Sequence, residues 1–390
     1  MELGELRLIE AEASLWRGDL TLAEDSADEA TDLLTKGSSS WYRAIRQAGL
    51  AAGKLGAFAR VEAWATPTAA ATPIPGAEGA RTACLASCAT DLVFAGRTGA
   101  ADAVIALLAD AMANPSSLAP QVAAAIEQLR GVRAAYSGDL AACLAGFEAS
   151  LAAFERAGDH RDACAVRSNL SVAFIELGDY VGAEEALRAA NAVADRMGLQ
   201  DVGLSALQNL GHVLAYRMQL AEARRIEQRA LEGFRALGDP RMEGVARMYL
   251  AEIAYLSGDL DVAEQDGRAA VAALEVAPPL RSAALAVLAR TLIGLGRIDE
   301  ALSTAREAHQ ILESLGGIEE GESLVRLVHA EALEASGDQA AFAEAIQRAR
   351  ERLLARAAKI SDIDWRARFL EGVPDNARTL ELIQRLRLAS

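Results

Sequence analysis

The chain has 390 residues, 52% of them hydrophobic but only 5% aromatic, and 55 Asp and Glu against 39 Lys and Arg give a formal net charge of −16. So acidic a chain argues against nucleic acid and against an anionic membrane surface as partners, since both need basic groups opposite their phosphates. The composition points to a core of Ala and Leu, and nine Pro leave long stretches free to be helical.

Leu3–Arg17 and Leu20–Lys36 read as a first helical hairpin. The start, MELGELRLIEAEASLWRGDL, has no basic segment followed by an apolar block and is not read as a signal peptide. No run approaches the ~18 apolar residues of a membrane span. Trp41–Leu55 and Ala57–Ala65 form a second hairpin, expected to stop at Thr66-Pro67. The stretch TPTAAATPIPGAEG carries three Pro and reads as a loop. Glu78–Gly96 and Ala100–Ala113 form a third, less regular hairpin ended by Asn114-Pro115. Twelve helices follow, near 119–137, 140–157, 161–177, 180–197, 201–217, 220–237, 241–257, 260–276, 280–295, 298–315, 319–336 and 339–357. In the tail, Ser361-Asp362 caps a helix bearing Ile363, Trp365 and Phe369. Gly372-Val373-Pro374 breaks it, and Asn376–Leu388 is the last helix. The expected organisation is N-terminal hairpins over 1–65, a Pro/Ala-rich linker over 66–79, a main superhelix over 80–357 and capping helices over 358–390.

The stretch Ala165–Gly198 shows the unit most plainly. Leu170, Phe174 and Leu177 share one helical stripe, Gly178-Asp179 turns the chain, and Ala183, Leu187 and Ala190 share a face of the returning helix. Turn equivalents fall at Gly18, Gly56, Gly99, Gly138, Met218, Gly258, Gly296 and Gly337, in steps of 38 to 43 residues. Seven residues before each turn stand Ala11, Gly49, Leu92, Gly131, Ser171, Gly211, Ala251, Ala289 and Ala330, all small but Leu92. A second column, twelve residues after each turn, is also nearly all small. Gly158, Gly198, Gly238 and Gly316 punctuate the half-repeats, and Pro278 takes that place once. A fixed period of this kind predicts an all-α solenoid of about nine antiparallel helical hairpins. Solenoid ends normally carry a polar cap. The first hairpin lacks one, so the chain is expected to continue a longer protein or to pack its first face on something else.

Asn169-Leu170-Ser171, Phe174, Leu177-Gly178-Asp179-Tyr180, Ala183 and Ala190 resemble a tetratricopeptide repeat, and Leu210-Gly211, Ala223 and Ala230 repeat the pattern. The period near 40 exceeds that family's usual ~34, and its early aromatic and closing Pro are mostly missing. The long repeats resemble the TPR-like sensor halves of bacterial signalling ATPases, transcription activators and serine/threonine kinases. Residues Phe369–Arg378 resemble the closing segment of such halves. The resemblance implies a right-handed superhelix that binds protein or peptide in a concave groove. It implies the regulatory or sensing part of a larger cytoplasmic signalling protein, with a fused or associated kinase or ATPase module.

Catalytic motifs are lacking. There is no phosphate-binding Gly-rich loop with Lys, no HExxH and no nucleophile elbow, so no enzyme activity and no cofactor are expected. Cys84 and Cys88 stand four apart on one helix without further ligands nearby and read, with Cys143 and Cys164, as buried thiols in a reducing cytoplasm. The inner surface remains. First-helix residues expected to face it are Gln128, Asn169, Gln208, Asn209, His212, Tyr216, Met248, Glu252, Tyr255 and Arg290. Asn169 and Asn209 recur forty residues apart, and an Asn amide supplies both a donor and an acceptor to an extended peptide backbone. The alternative is a small-molecule sensor, which a closed pocket with polar and aromatic walls favours over an open trough.

Overall fold

Asp and Gly set the helix boundaries. Asp19, Asp139, Asp159, Asp179, Asp239, Asp259 and Asp338 each accept a backbone N–H three residues on and cap a helix. Gly158, Gly198, Gly238 and Gly316 end helices in the left-handed conformation. A computed structural model describes residues 2–389. Its paired helices are α1 (Glu2–Arg17) with α2 (Leu20–Leu33), α3 (Ser39–Lys54) with α4 (Phe58–Ala70), and α5 (Glu78–Phe94) with α6 (Thr98–Ala106), followed by a short α7 (Ala109–Ala113). Next come α8 (Pro120–Tyr136) with α9 (Leu140–Ala157), α10 (His160–Glu176) with α11 (Tyr180–Met197), and α12 (Gln200–Tyr216) with α13 (Leu220–Leu237). The series ends with α14 (Pro240–Leu256) and α15 (Leu260–Ala273), α16 (Pro278–Gly294) and α17 (Ile298–Leu315), and α18 (Glu322–Ala335) and α19 (Gln339–Ala357). Short α20 (Ile363–Ala367) and α21 (Pro374–Ala389) close the chain, and no strand occurs among the described residues. The fold is an all-α solenoid of nine hairpins.

Small residues let the paired helices approach. Ala11, Ala251, Ala289 and Ala330 are wholly buried, as are Ala30, Ala190, Ala230, Ala270 and Ala308 in the second column. At Gly146 a Cβ would lie 2.7 Å from the Gly131 backbone nitrogen, so α8 and α9 cross at a spacing that requires Gly at 146. Leu382 and Ile383 of α21 join Leu327 and Ile346 in a core that covers the last hairpin.

Three sequence expectations need correction. The third turn is Gly96 (φ 69°), and Gly99 lies inside α6. With that register the residue seven before the turn is Ala89, wholly buried, and the Leu92 exception disappears. The expected linker 66–79 begins too early, because α4 runs through Pro67 to Ala70. Pro67 removes only one N–H near the helix end, and the wholly buried Thr68 anchors that turn by donating its hydroxyl to the Trp64 carbonyl, 2.8 Å away. Finally, α18 starts at Glu322, not near 319. Gly316 and Gly321 both take positive φ, and residues 317–321 form a loop.

That loop matters because the solenoid closes on itself. Helices three or four hairpin positions apart touch across the superhelical pitch. Lys54 on α3 meets Asp201 on α12 at 2.6 Å, Arg46 on α3 meets Asp162 on α10 at 3.3 Å, and Arg356 on α19 meets Glu176 on α10 at 3.1 Å. The Arg241 guanidinium lies 5.0 Å from the Phe94 ring centroid, and Trp365 stacks on Phe174. The concave side is therefore bridged across the pitch by these contacts.

Candidate binding cavity

Two sequence columns build the wall of this interior. Nine residues before the turns stand Gln47, Ser87, Asn169, Asn209 and Tyr249. Two before the turns stand Trp16, Lys54, Phe94, Tyr136 and Glu176. All ten line one cavity of about 330 Å³. The columns are seven residues apart, two helical turns on the same face of each first helix. The volume falls within the range typical of ligand sites, roughly 300–1,000 Å³.

Gln128, Asn169, Gln208 and Asn209 all line this cavity. The Asn169 and Asn209 side chains are half-buried, and neither amide is engaged by another described residue. Gln208 differs. It is wholly buried, and its Nε2 donates to the Met242 carbonyl at 2.9 Å, tying α12 to α14.

His212, Tyr216, Met248 and Glu252 line a separate, smaller cavity of about 40 Å³. There His212 Nε2 lies 3.1 Å from Glu252, and the His212 ring stacks on Tyr249 with centroids 3.9 Å apart. Burial lowers the His212 pKa, but the hydrogen bond and charge of Glu252 outweigh it and leave the net shift upward. Burial likewise works to raise Glu252, and His212 reverses that to a net lowering. Both shifts favour an ion pair. Tyr255 and Arg290 line neither cavity. Arg290 pairs with Asp375 of α21, and so fastens the C-terminal cap.

Several charged groups of the interior escaped the sequence reading. Glu319 and Glu320 reach in from the 317–321 loop. Glu319 pairs with Arg241 at 2.8 Å and accepts from the Tyr136 hydroxyl at 3.3 Å, and Tyr249 donates to Glu320 at 3.0 Å. Gly321 N–H points to Glu176 at 3.4 Å. Asp91, Lys54, Asp201, Asp239 and Arg241 complete the charged wall. Burial pushes the Asp91 and Glu320 carboxyls up to about 7 and Asp239 up to about 6. The sequence signal for Glu319 and Glu320 was the pair of glycines, Gly316 and Gly321, that rule out one continuous helix start.

No family model and no curated protein matches the chain. Among solved structures, the fold is similar to that of a Rap protein complexed with Competence and Sporulation Factor, with 14% identity, TM-score 0.63 and coverage of 100% of this chain and 99% of that one. It is similar to NprR in complex with its cognate peptide NprX, with 10% identity, TM-score 0.61 and coverage of 98% and 97%. The Rap conjugation gene regulator of plasmid pLS20, in complex with the Phr* peptide, gives 11% identity, TM-score 0.53 and coverage of 99% and 96%. No helix among the described residues is long and apolar enough to cross a membrane. At these identities the likeness is one of fold, over nearly the whole length of each chain: a TPR-like helical solenoid.

Proposed function

We propose that this protein is a regulatory scaffold whose interior cavity holds a short extended peptide. The observation that carries the reading is the pair Asn169 and Asn209, one repeat apart, lining the same cavity with both amides unengaged. Each can accept one peptide N–H and donate to one peptide C=O, and Gln128 offers the same groups from α8. The cavity volume of about 330 Å³ suits a short segment. Two of the similar folds named above are peptide complexes by their own descriptions, which supports the analogy. In this reading the chain is the sensing part of a cytoplasmic bacterial signalling system. It acts on a fused or associated kinase, signalling ATPase or transcription-activating module.

The test is binding of short synthetic peptides to the wild type and to Asn169→Ala/Asn209→Ala. Two amides lost at about 0.5–1.5 kcal/mol per hydrogen bond weaken binding roughly tenfold or more. Equal affinity in both proteins removes the Asn ladder from the mechanism. A second reading, a small-molecule sensor, is favoured by the aromatic rings of Trp16, Phe94, Tyr136 and Tyr249 in the cavity wall. Saturable binding of a metabolite pool with no peptide retained selects it.

A further inference from the structure

We propose that the open face of α1 is a docking surface for one amphipathic helix of a protein partner, apolar along its seam and bearing Lys or Arg on its flank. The face carries Leu3, Leu6 and Ile9, which are 51%, 62% and 58% exposed. These residues lie outside the cavity wall, and the surface does not depend on what the cavity holds.

The repeat states what belongs there. Leu6 stands twelve residues before the Gly18 turn. In the other eight hairpins that place holds Ala, Cys, Ile or Val, with Ala44, Ile126, Val166, Ala206 and Ala246 among them, and none is more than 1% exposed. The second helix of the preceding hairpin provides this cover. Leu231 of α13 packs on Ala246 and Leu250 of α14 in one apolar cluster. Three residues before the same place in α12, a Cβ at Gly203 would lie 3.5 Å from the Ala194 Cβ of α11. Leu3 is the α1 equivalent of Gly203. No described helix stands on α1 at these places, so a joint used along the chain is left there with one side bare. Leu33 of α2, 41% exposed, extends the apolar patch, since its Cβ would lie 3.2 Å from a Cβ at Gly4. A single exposed Leu is ordinary, but a continuous apolar face marks an interaction site.

Charge selects the occupant. Joints of this kind within the chain pair opposite signs across the seam: Arg235 of α13 with Glu243 of α14 at 3.0 Å, Glu155 of α9 with Arg167 of α10 at 2.8 Å, and Glu313 of α17 with Arg326 of α18 at 2.8 Å. On α1, Arg7 is engaged by Glu10 and Glu29, and Glu12 by Arg43. Glu2 is exposed and Glu5 half-buried, and neither makes an ion pair among the described residues. A basic flank answers these two acids. A second copy of α1 brings the same acids on a chain of net charge −16, and an anionic membrane surface repels them.

The probe is a fluorescent, lactam-stapled synthetic copy of α13, Leu220–Leu237, which covers this place on α14 and carries Arg224, Arg225, Arg229 and Arg235. A second peptide has those four Arg replaced by Glu. Binding to the full chain is read by fluorescence anisotropy. The expected result is saturable binding of the first peptide, weakened about tenfold or more by Leu6→Asp, which puts a charge where an apolar contact forms. Val181→Asp, at an exposed apolar position on α11, leaves binding unchanged. The four-Glu peptide binds about tenfold more weakly than the first, and Glu2→Arg/Glu5→Arg reverses that order. Leu6 is already exposed, so Leu6→Asp is expected to melt with the wild type. Should it not fold, the Glu2→Arg/Glu5→Arg protein and the two peptides decide alone. Failure of the α13 copy to bind, equal binding by Leu6→Asp, or equal binding of the two peptides overturns the proposal. A chain that sediments as a dimer and becomes monomeric on Leu6→Asp makes a second copy the occupant, and overturns the basic partner. None of these outcomes touches the reading of the cavity.

Discussion

Gly317→Ala tests whether the superhelix closes as described. Gly317 lies in the loop between α17 and α18, against the C-terminal end of α8. A Cβ there would overlap the Tyr136 carbonyl oxygen, far inside the 3.4 Å at which ordinary contact begins. The obstacle is helical backbone, which has no rotamer to change, so the loop must retreat on the order of 1 Å or more. Overpacking of this kind costs about 1–3 kcal/mol. If the retreat also parts Glu319 from Arg241, a partly buried ion pair opens and the loss moves toward 3–5 kcal/mol. The assay is a circular-dichroism melt, joined by hydrogen exchange over the loop and the end of α8. The expected outcome is a lower melting temperature and lost protection in both segments. Gly99→Ala is the control, because nothing lies within 4 Å of a Cβ at that helical position, and the change there is neutral or stabilising by up to about 1 kcal/mol. A Gly317→Ala protein that melts and exchanges like the wild type would mean that the loop does not touch α8, and the cavity would lose Glu319 and Glu320 from its wall.

Met218 is the one non-Gly residue with positive φ among the described residues, at 58°, and its side chain is 63% exposed. Met218→Gly should relieve backbone strain and raise stability by roughly 0.5–1 kcal/mol in a urea melt, with no change in peptide binding. Ala183 is wholly buried at its hairpin crossing, so Ala183→Leu should cost about 1–3 kcal/mol, and an unchanged melt would count against the repeat register. The pH dependence of the ligand-free protein follows from its buried carboxyls. Asp91 and Glu320 titrate at about 7 and Asp239 at about 6, all above an unfolded value of roughly 4. The folded chain therefore binds more protons than the unfolded one over that window, and this contribution is full below pH ~4 and is lost as pH rises through 6 to 7. His212, whose pKa is raised, adds in the same direction. His329, lowered to about 4 by burial, and His309 act oppositely below pH ~6.5, so a melting temperature that climbs between pH ~6.5 and pH ~8 would contradict this balance.

The repeat was legible because close helix packing demands small residues at fixed places and tight turns demand positive φ. Both demands leave marks on single residues, such as Gly131, Gly178 and Ala190. The third hairpin misled because two glycines, Gly96 and Gly99, stood near one turn, and only backbone conformation distinguishes them. Pro67 misled for a different reason: a proline near a helix end removes a single N–H, and helix α4 tolerates it. The repeat period together with the tetratricopeptide resemblance puts Gln128, Asn169, Gln208 and Asn209 on the inner face. What period cannot show is which distant repeats face one another. Lys54 and Asp201 are paired only because α3 and α12 meet across the pitch, and nothing local to either residue announces the other. Glu319 and Glu320 lie outside the helical period altogether, so a reading based on period passes over them.

The kind of contact that closes the interior bears on what a ligand does there. Within a hairpin the helices are joined by apolar and small residues, whose burial is strong and insensitive to charge. Across the pitch the joints are mixed: ion pairs join Lys54 with Asp201, Arg46 with Asp162, Arg241 with Glu319, and Arg356 with Glu176, beside an apolar cluster that joins Leu140 and Leu177 to Leu353, Ile360 and Phe369. The ion pairs fix register but contribute little net stability, because desolvation offsets much of the attraction, so the apolar contacts carry most of the closure. A ligand that engages the paired carboxylates has a binding free energy that depends on pitch, and by linkage the pitch depends on its binding.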